Sequence, residues 1–453
     1  MSGRWWARWI GAGACATALV ACGGPRRELP PLQASASTAP VEIAKTADTV
    51  GTVEIDPFGA DVAAEAVSAT SVVDETPSPP SGSSDPASGD VPTNGVDSTS
   101  PPTALETTTT TPPPSPPGTF SVLVTGDLLS HIPVVDRAHE IAGGVGYDFG
   151  PMFRVVQPTI AAADLAICHL ETPIVPPGDE VDPVPPDYGI PPEIVTAIAG
   201  AGFDRCSLAS NHAMDKGAAG IETTLNTFDA VGLGHTGMAR TPDEAEPTVF
   251  EVNDVDVAHL SYTFGYNGRP AADGESWRSN LIDPNRIVAD AQEARSKGAR
   301  FVIVSMHWGV EGTTDVLPQQ RGWAEQVTGS GAVDLIVGHH AHVLQPIEQV
   351  NGRWVVYGLG NFLSAMNEST DCCGIRGQDG MMVRVQVASR PDGTFDVGQP
   401  QVIPTYIDRS DYTILPVNAA LAGEVGIGAV GVGALQASLE RTTDVVGPFI
   451  VSR

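Results

Sequence analysis

Basic side chains are scarce in this 453-residue chain: 24 Lys and Arg stand against 54 Asp and Glu, giving a formal net charge of -30. A surface of that sign repels nucleic acid and anionic headgroups, so nucleic acid is not an expected partner. It suits a protein kept soluble outside the cell. No Cys-x-x-Cys spacing occurs among the six cysteines, which argues against a structural zinc site. No internal repeat is visible. The apolar stretch from Ile10 to Ala21 is too short to cross a bilayer as a stable helix. From Gly23 to Gly118 aromatic residues are few and Pro, Ser, Thr and Ala dominate. Such a segment cannot bury enough apolar area to offset its ordering entropy.

The N-terminus carries a different signal. Arg4 and Arg8 precede the apolar stretch, which ends in Leu19-Val20-Ala21-Cys22 followed by Gly23-Gly24. That is the pattern of a bacterial lipobox. Residues 1–21 are expected to be a lipoprotein signal peptide, with Cys22 acylated as the first mature residue. More than one acyl chain gives a stable anchor, so the expected location is extracytoplasmic, on the outer face of the cell membrane. Residues 22–118 read as a disordered tether, partly polyproline II; residues 101–118 alone hold seven prolines and six threonines.

Order is expected to begin at Thr119. Short β-branched and apolar runs predict strands at Phe120–Thr125, Asp164–Leu170, Phe203–Ala209, Val255–Thr263, Phe301–His307, Leu335–Gly338, Trp354–Tyr357 and Met381–Val387. Helical patterns lie between several of them, at Pro191–Ala201, Gly217–Val231, Pro284–Gly298 and Gln319–Gly331. Alternation of this kind means α/β layers. The pattern weakens after Pro404, with a short closing helix expected at Ala434–Arg441. The expected organisation is one α/β domain over 119–412 and a C-terminal extension, 413–453, packed upon it. Cys168, Cys206, Cys372 and Cys373 fall in this folded part. Cys372 and Cys373 are adjacent and are expected to pair elsewhere rather than with each other; sequence alone does not choose among the connectivities.

The chemistry lies at the ends of the strands. The first ends in Gly126-Asp127, with His131 beyond. The second ends in His169-Leu170-Glu171, and the third in Ser210-Asn211-His212 with Asp215 after it. The strand at Phe301 ends in His307, and that at Leu335 in Gly338-His339-His340-Ala341-His342. Open α/β sheets form their sites at the carboxyl ends of strands. Each motif alone has a bland explanation as a turn residue or a satisfied polar group. Together, five strands ending in Asp, Glu, Asn and His point to a metal site. A His-x-His pair on one extended strand would aim both imidazoles the same way.

From about Thr119 to about Val387 the chain resembles the CapA (poly-γ-glutamate capsule biosynthesis) family of the calcineurin-like metallophosphatases. The stretches that carry the resemblance are Thr125-Gly126-Asp127, Leu170 to Pro173, Ala209 to Asp215, Met306 to Gly309, Val337 to His342, and Tyr357 to Phe362. It implies a two-sheet sandwich flanked by helices, holding two divalent metal ions. In that scheme Asp127 and His342 bind the first ion, with His131 as a further ligand. Glu171 bridges both, and Asn211, His307 and His340 bind the second. His212 is the acid or electrostatic partner of the leaving group, and Asn211 also touches substrate. His339 is the alternative ligand if the strand register shifts by one.

Two departures stand out: His169 occupies a position where Asn is common, as either an extra ligand or a polar neighbour, and Ser210 replaces a second Asn. Two ions about 3.5–4 Å apart can clamp both oxygens of an in-line displacement, and this ligand set suits Mn, Fe or Zn. Two carboxylates leave such a site positive, favouring a phosphate-like anion. One expectation is therefore a metal-dependent phosphoester or related hydrolase in capsule or envelope-polymer metabolism. The other is a non-catalytic polymer-binding or scaffold subunit of a membrane synthesis or export complex. His259 is expected in the core, His235 in a turn, and Asp215 as a loop charge.

Overall fold

The computed structural model describes residues 118–451 except 270, 273 and 367–371. The expected signal peptide, Cys22 and all of the expected tether but Gly118 lie outside the described residues. The strands are β1 (Thr119–Leu129), β2 (Leu165–Leu170), β3 (Arg205–Ser207), β4 (Gly234–Thr236), β5 (Val249–Val252), β6 (Val255–Thr263), β7 (Phe301–His307) and β8 (Leu335–His339). They continue as β9 (Leu344–Val350), β10 (Arg353–Leu359), β11 (Asn361–Ser364), β12 (Asp379–Ser389), β13 (Phe395–Val397), β14 (Gln401–Asp408) and β15 (Thr413–Pro416). The helices of eight or more described residues are α1 (Ile132–Ile141), α2 (Glu193–Gly200), α3 (Gly217–Val231), α4 (Pro284–Ser296), α5 (Pro318–Gly329) and α6 (Val432–Val446).

Two sheets form. One runs β15-β14-β12-β1-β2-β3-β4, with β11 beside β1 and β13 beside β12; the other runs β5-β6-β7-β8-β10-β9. One apolar cluster fills the space between them, built from Phe120, Val122 and Val124 of one sheet and Val257, Phe301, Ile303, Leu335 and Val337 of the other. Two further clusters lie under the helices, one against each sheet. This is an α/β two-sheet sandwich flanked by helices, as expected.

Strand alternation explains where the polar residues go. Successive side chains point to opposite faces, so Phe301 and Ile303 enter the sandwich while Val302, Val304 and Met306 face the helices. Continuing the same face along β7 places Ser305 and His307 inside. In β2, Leu165 and Ile167 are followed on that face by His169, and in β8, Leu335 and Val337 are followed by His339. The interior is thus apolar toward one end of the sandwich and polar at the carboxyl ends of its parallel strands.

His259 belongs to the same face and is fully buried, as expected of a core residue. Its Nδ1 accepts from Arg205 Nε (3.2 Å) and its Nε2 meets Ser305 Oγ (2.9 Å). Burial and then the Arg205 charge hold its pKa well below the usual histidine value. Below pH about 6.5 the unfolded chain takes up a proton that folded His259 refuses, so folding loses stability as pH falls. The stability advantage of wild type over His259→Asn is expected to shrink by about 1 kcal/mol between pH 6.5 and 5.5. Urea unfolding of both proteins at the two pH values checks it, and an unchanged difference contradicts it.

Several elements differ from expectation. α6 begins at Val432 and includes Gly433, where the glycines predicted a start at Ala434. The first turn of a helix has no intrahelical donors to lose, and Leu435, Ser438, Thr442 and Val446 give it a buried stripe. β14 passes through Pro404, where the pattern weakens. β15 pairs only with Thr405 to Asp408, so Pro404 stands beyond that ladder. The segment from Thr413, expected as an extension, thus opens with an edge strand of the first sheet. His235 sits in β4 rather than a turn, its Nε2 3.1 Å from Asp229. Cys168 pairs with Cys206 across the neighbouring strands β2 and β3, where the two are in register. Cys372 pairs with Cys373, against expectation, because the other two described cysteines are taken by each other.

Candidate metal centre

The strand ends converge. Asp127, on β1 beside a break in the β1–β2 register, accepts from His339 Nδ1 (2.9 Å) and from the His340 backbone N–H (3.1 Å); His342 Nδ1 lies 3.2 Å from it. Glu171, just past β2, lies 3.5 Å from His342 Nε2 and 3.8 Å from His307 Nε2. His307 Nε2 donates to Asn211 Oδ1 (2.9 Å). The ligand atoms of Asp127, Glu171 and His342 lie within 4.8 Å of one another, and so do those of Glu171, His307 and His340. Glu171 is common to both groups. His340 and His342 recur in a further group of the same reach with Glu311.

His340 and His342 do not lie on an extended strand. β8 stops at His339, and φ is +85° at His340 and +55° at His342. A left-handed backbone is uncommon outside glycine and concentrates at functional sites. Here the turn, not strand alternation, brings both rings to the carboxylates. His339 keeps the strand's inward direction and stacks on His169 at 4.1 Å between ring centroids.

His169 in turn bridges Ser207 Oγ (2.8 Å) and His307 Nδ1 (3.0 Å). It is thus both a support for His307 and, with Asp127 and His339, part of a further group within ligand reach. Asn361, on β11 opposite Asp127, accepts from His342 Nδ1 (3.0 Å) and donates to the Gly377 carbonyl (2.8 Å). That leaves His342 Nε2 directed to Glu171. Ser210 Oγ donates to the Glu171 carbonyl and accepts from the His212 amide (3.1 Å), a loop bond in place of the second Asn.

Two expected residues sit differently. His131 opens α1, four residues past Asp127, and falls in none of the metal-reach groups among the described residues. It lines the mouth of the cavity, where its Nδ1 accepts from the Ala365 amide (3.3 Å). Asp215 is no mere loop charge: its carboxylate lies 2.7 Å from His212 Nδ1 and accepts from the Tyr188 amide (2.9 Å). His212 is therefore oriented from behind, with Nε2 left for the cavity it lines. The three-residue spacing from His212 to Asp215 was the available signal.

Burial raises the Asp127 carboxyl, and the hydrogen bonds from His339 and His342 more than offset it, holding it well below the usual carboxylate range. Burial pushes Glu171 up, against the pull of His342. Burial lowers His169 and His307, and takes His340 down to about 3. His342 is raised, the Glu171 and Asp127 carboxylates overcoming its burial.

The donors fit a divalent cation. Both Glu171 oxygens and His340 Nδ1 are buried without a hydrogen-bond partner. Buried polar groups are ordinarily satisfied, and a carboxylate left so is costly. The lowered pKa values of His307 and His340 keep those two imidazoles neutral, the form that metal binding requires. Above the cluster lies an open cavity of about 530 Å³ lined by Tyr188, Asn211, His212, Glu311 and His342 among others.

The fold and the cluster together define a two-sheet α/β sandwich with a candidate metal centre at the carboxyl ends of its strands. Residues 121–366 match the family described as bacterial capsule synthesis protein PGA_cap, and the chain belongs to that family. It is 28% identical to the capsule biosynthesis protein CapA of Bacillus anthracis over 63% of this chain and 71% of that one. It is 33% identical to the PGA biosynthesis protein CapA of Bacillus subtilis over 50% of this chain and 56% of that one, a little over half that relative's length. Among solved structures it is similar to the calcineurin-like phosphoesterase YfkN of B. subtilis, with a TM-score of 0.41 and 13% identity, covering 73% of this chain and 98% of that one. The NAD nucleotidase NadN of Haemophilus influenzae gives 0.40 and 11%, covering 74% and 57%.

Proposed function

We propose that the chain is a metal-dependent phosphoester or related hydrolase of capsule or envelope-polymer metabolism, tethered through Cys22 to the outer face of the membrane. The observation that carries the reading is Glu171: a buried carboxylate whose two oxygens have no hydrogen-bond partner, shared by two groups of metal-ligand residues. Asp127 and His342 would hold one divalent ion with it, and Asn211, His307 and His340 the other. When bound, such a pair supplies Lewis acidity and a clamp for both oxygens of an in-line displacement. The chain's own residues do the rest. Asn211, with its Oδ1 turned to the ion, would present its amide N–H to substrate. His212, held by Asp215, delivers a proton to the leaving oxygen.

The names of the CapA relatives favour a second reading, a non-catalytic subunit that binds an anionic polymer during its synthesis. Turnover separates the two. The manganese- or zinc-loaded chain is expected to hydrolyse a chromogenic phosphodiester such as bis(p-nitrophenyl) phosphate, with His307→Ala lowering the rate at least 100-fold. Metal retention without turnover of any phosphomonoester, phosphodiester or γ-glutamyl probe would support the polymer-binding subunit instead.

A further inference from the structure

Glu311 belongs to none of the strand-end motifs. It stands in the loop between β7 and α5, exposed, four residues beyond His307. Its carboxylate comes within 4.8 Å of ring nitrogens of both His340 and His342. It is the one carboxylate among the described residues lining the cavity over the cluster.

Its position is built rather than incidental. The next residue, Gly312, donates its N–H to the Ala341 carbonyl (2.8 Å), the residue between the two histidines. Gly312 has φ +73°, and a Cβ there would lie 2.5 Å from the Cys372 carbonyl oxygen. The loop is thus clamped between the His340-Ala341-His342 turn and the turn of the Cys372–Cys373 disulfide. On the inner side, His340 Nδ1 is buried and unpartnered.

We propose that Glu311 is a third carboxylate ligand, closing the solvent side of the metal pair beside His340 of one ion and His342 of the other. This rests on the reading of the cluster as a metal centre. Asp127 and Glu171 alone leave two divalent ions with a surplus of about two positive charges, and a third carboxylate removes about one of them. Being exposed, Glu311 is the ligand free to swing aside for a substrate oxygen, whereas the buried ones are fixed.

Calorimetric titration of the metal-stripped full-length protein with Mn²⁺ tests it. Wild type is expected to take two equivalents, and Glu311→Gln to bind one of them about 10-fold or more weakly. Glu311→Asp keeps the charge but shortens the reach, and is expected to show a comparable loss. Circular dichroism reports whether each variant is folded. A Glu311→Gln titration matching wild type overturns the assignment and leaves the metal centre standing. A Glu311→Asp titration matching wild type, with Gln weakened, also overturns it, since charge alone would then suffice. No Mn²⁺ uptake by wild type overturns both readings.

Discussion

Glu171→Gln is expected to weaken divalent-metal binding by about 100-fold or more, above the roughly 10–100-fold that loss of an outer-shell partner costs. Glu171 is the residue common to the two groups of ligands, and its two oxygens have no other partner. Its amide keeps the volume but offers one acceptor oxygen and a donor nitrogen in place of two anionic oxygens, so packing survives while bridging does not. Thermal unfolding reads the loss directly, because a ligand that binds only the folded chain raises its melting temperature. Wild type is expected to gain stability on adding Mn²⁺ or Zn²⁺, and the variant to gain far less. An equal gain in both proteins would remove Glu171 from the site.

His212→Ala is expected to lower kcat by about 10²–10⁴-fold while leaving metal content unchanged, the usual range for a group that transfers a proton. His212 lies beside the metal-ligand groups without entering any of them among the described residues. Its Nδ1 is held at 2.7 Å by Asp215, so Nε2 is the nitrogen left for substrate. Asp215→Asn is expected to fall between the variant and wild type, because the ring stays but loses its orienting charge. Elemental analysis beside steady-state kinetics checks the pair of effects. Loss of a metal equivalent in His212→Ala would make the residue a ligand; an unchanged kcat would remove it from the reaction.

The residues of the site were legible where a strand carries them. His169, His307 and His339 end buried runs of alternating or continuous apolar residues, and a period of two fixes the face they share. The turn at His340 and His342 was not, because nothing in Gly338-His339-His340-Ala341-His342 announces a left-handed backbone at two non-glycine positions. Strand logic therefore grouped His340 and His342 with the carboxylates for a wrong local reason: a turn, not a strand, aims them. β4, β13 and β15 escaped notice because three or four residues carry too little pattern and are held by neighbouring strands. β14 was hidden by Pro404, whose cost depends on where a neighbouring ladder ends. Asp215 and Glu311 are charges in loops, and only the folded chain shows that one backs His212 and the other overhangs two histidines. The pairing of Cys372 with Cys373 became clear only once β2 and β3 brought Cys168 and Cys206 into register.

All of this depends on side chains from position 127 to position 342 gripping a pair of cations. The most direct measurement is an anomalous difference map from crystals of the protein grown with Mn²⁺. Two peaks about 3.5–4 Å apart, with Glu171 between them, Asp127 and His342 on one and His307 and His340 on the other, are the predicted result. A map with no peak at these residues, from protein shown to be folded and saturated with metal elsewhere, would contradict it.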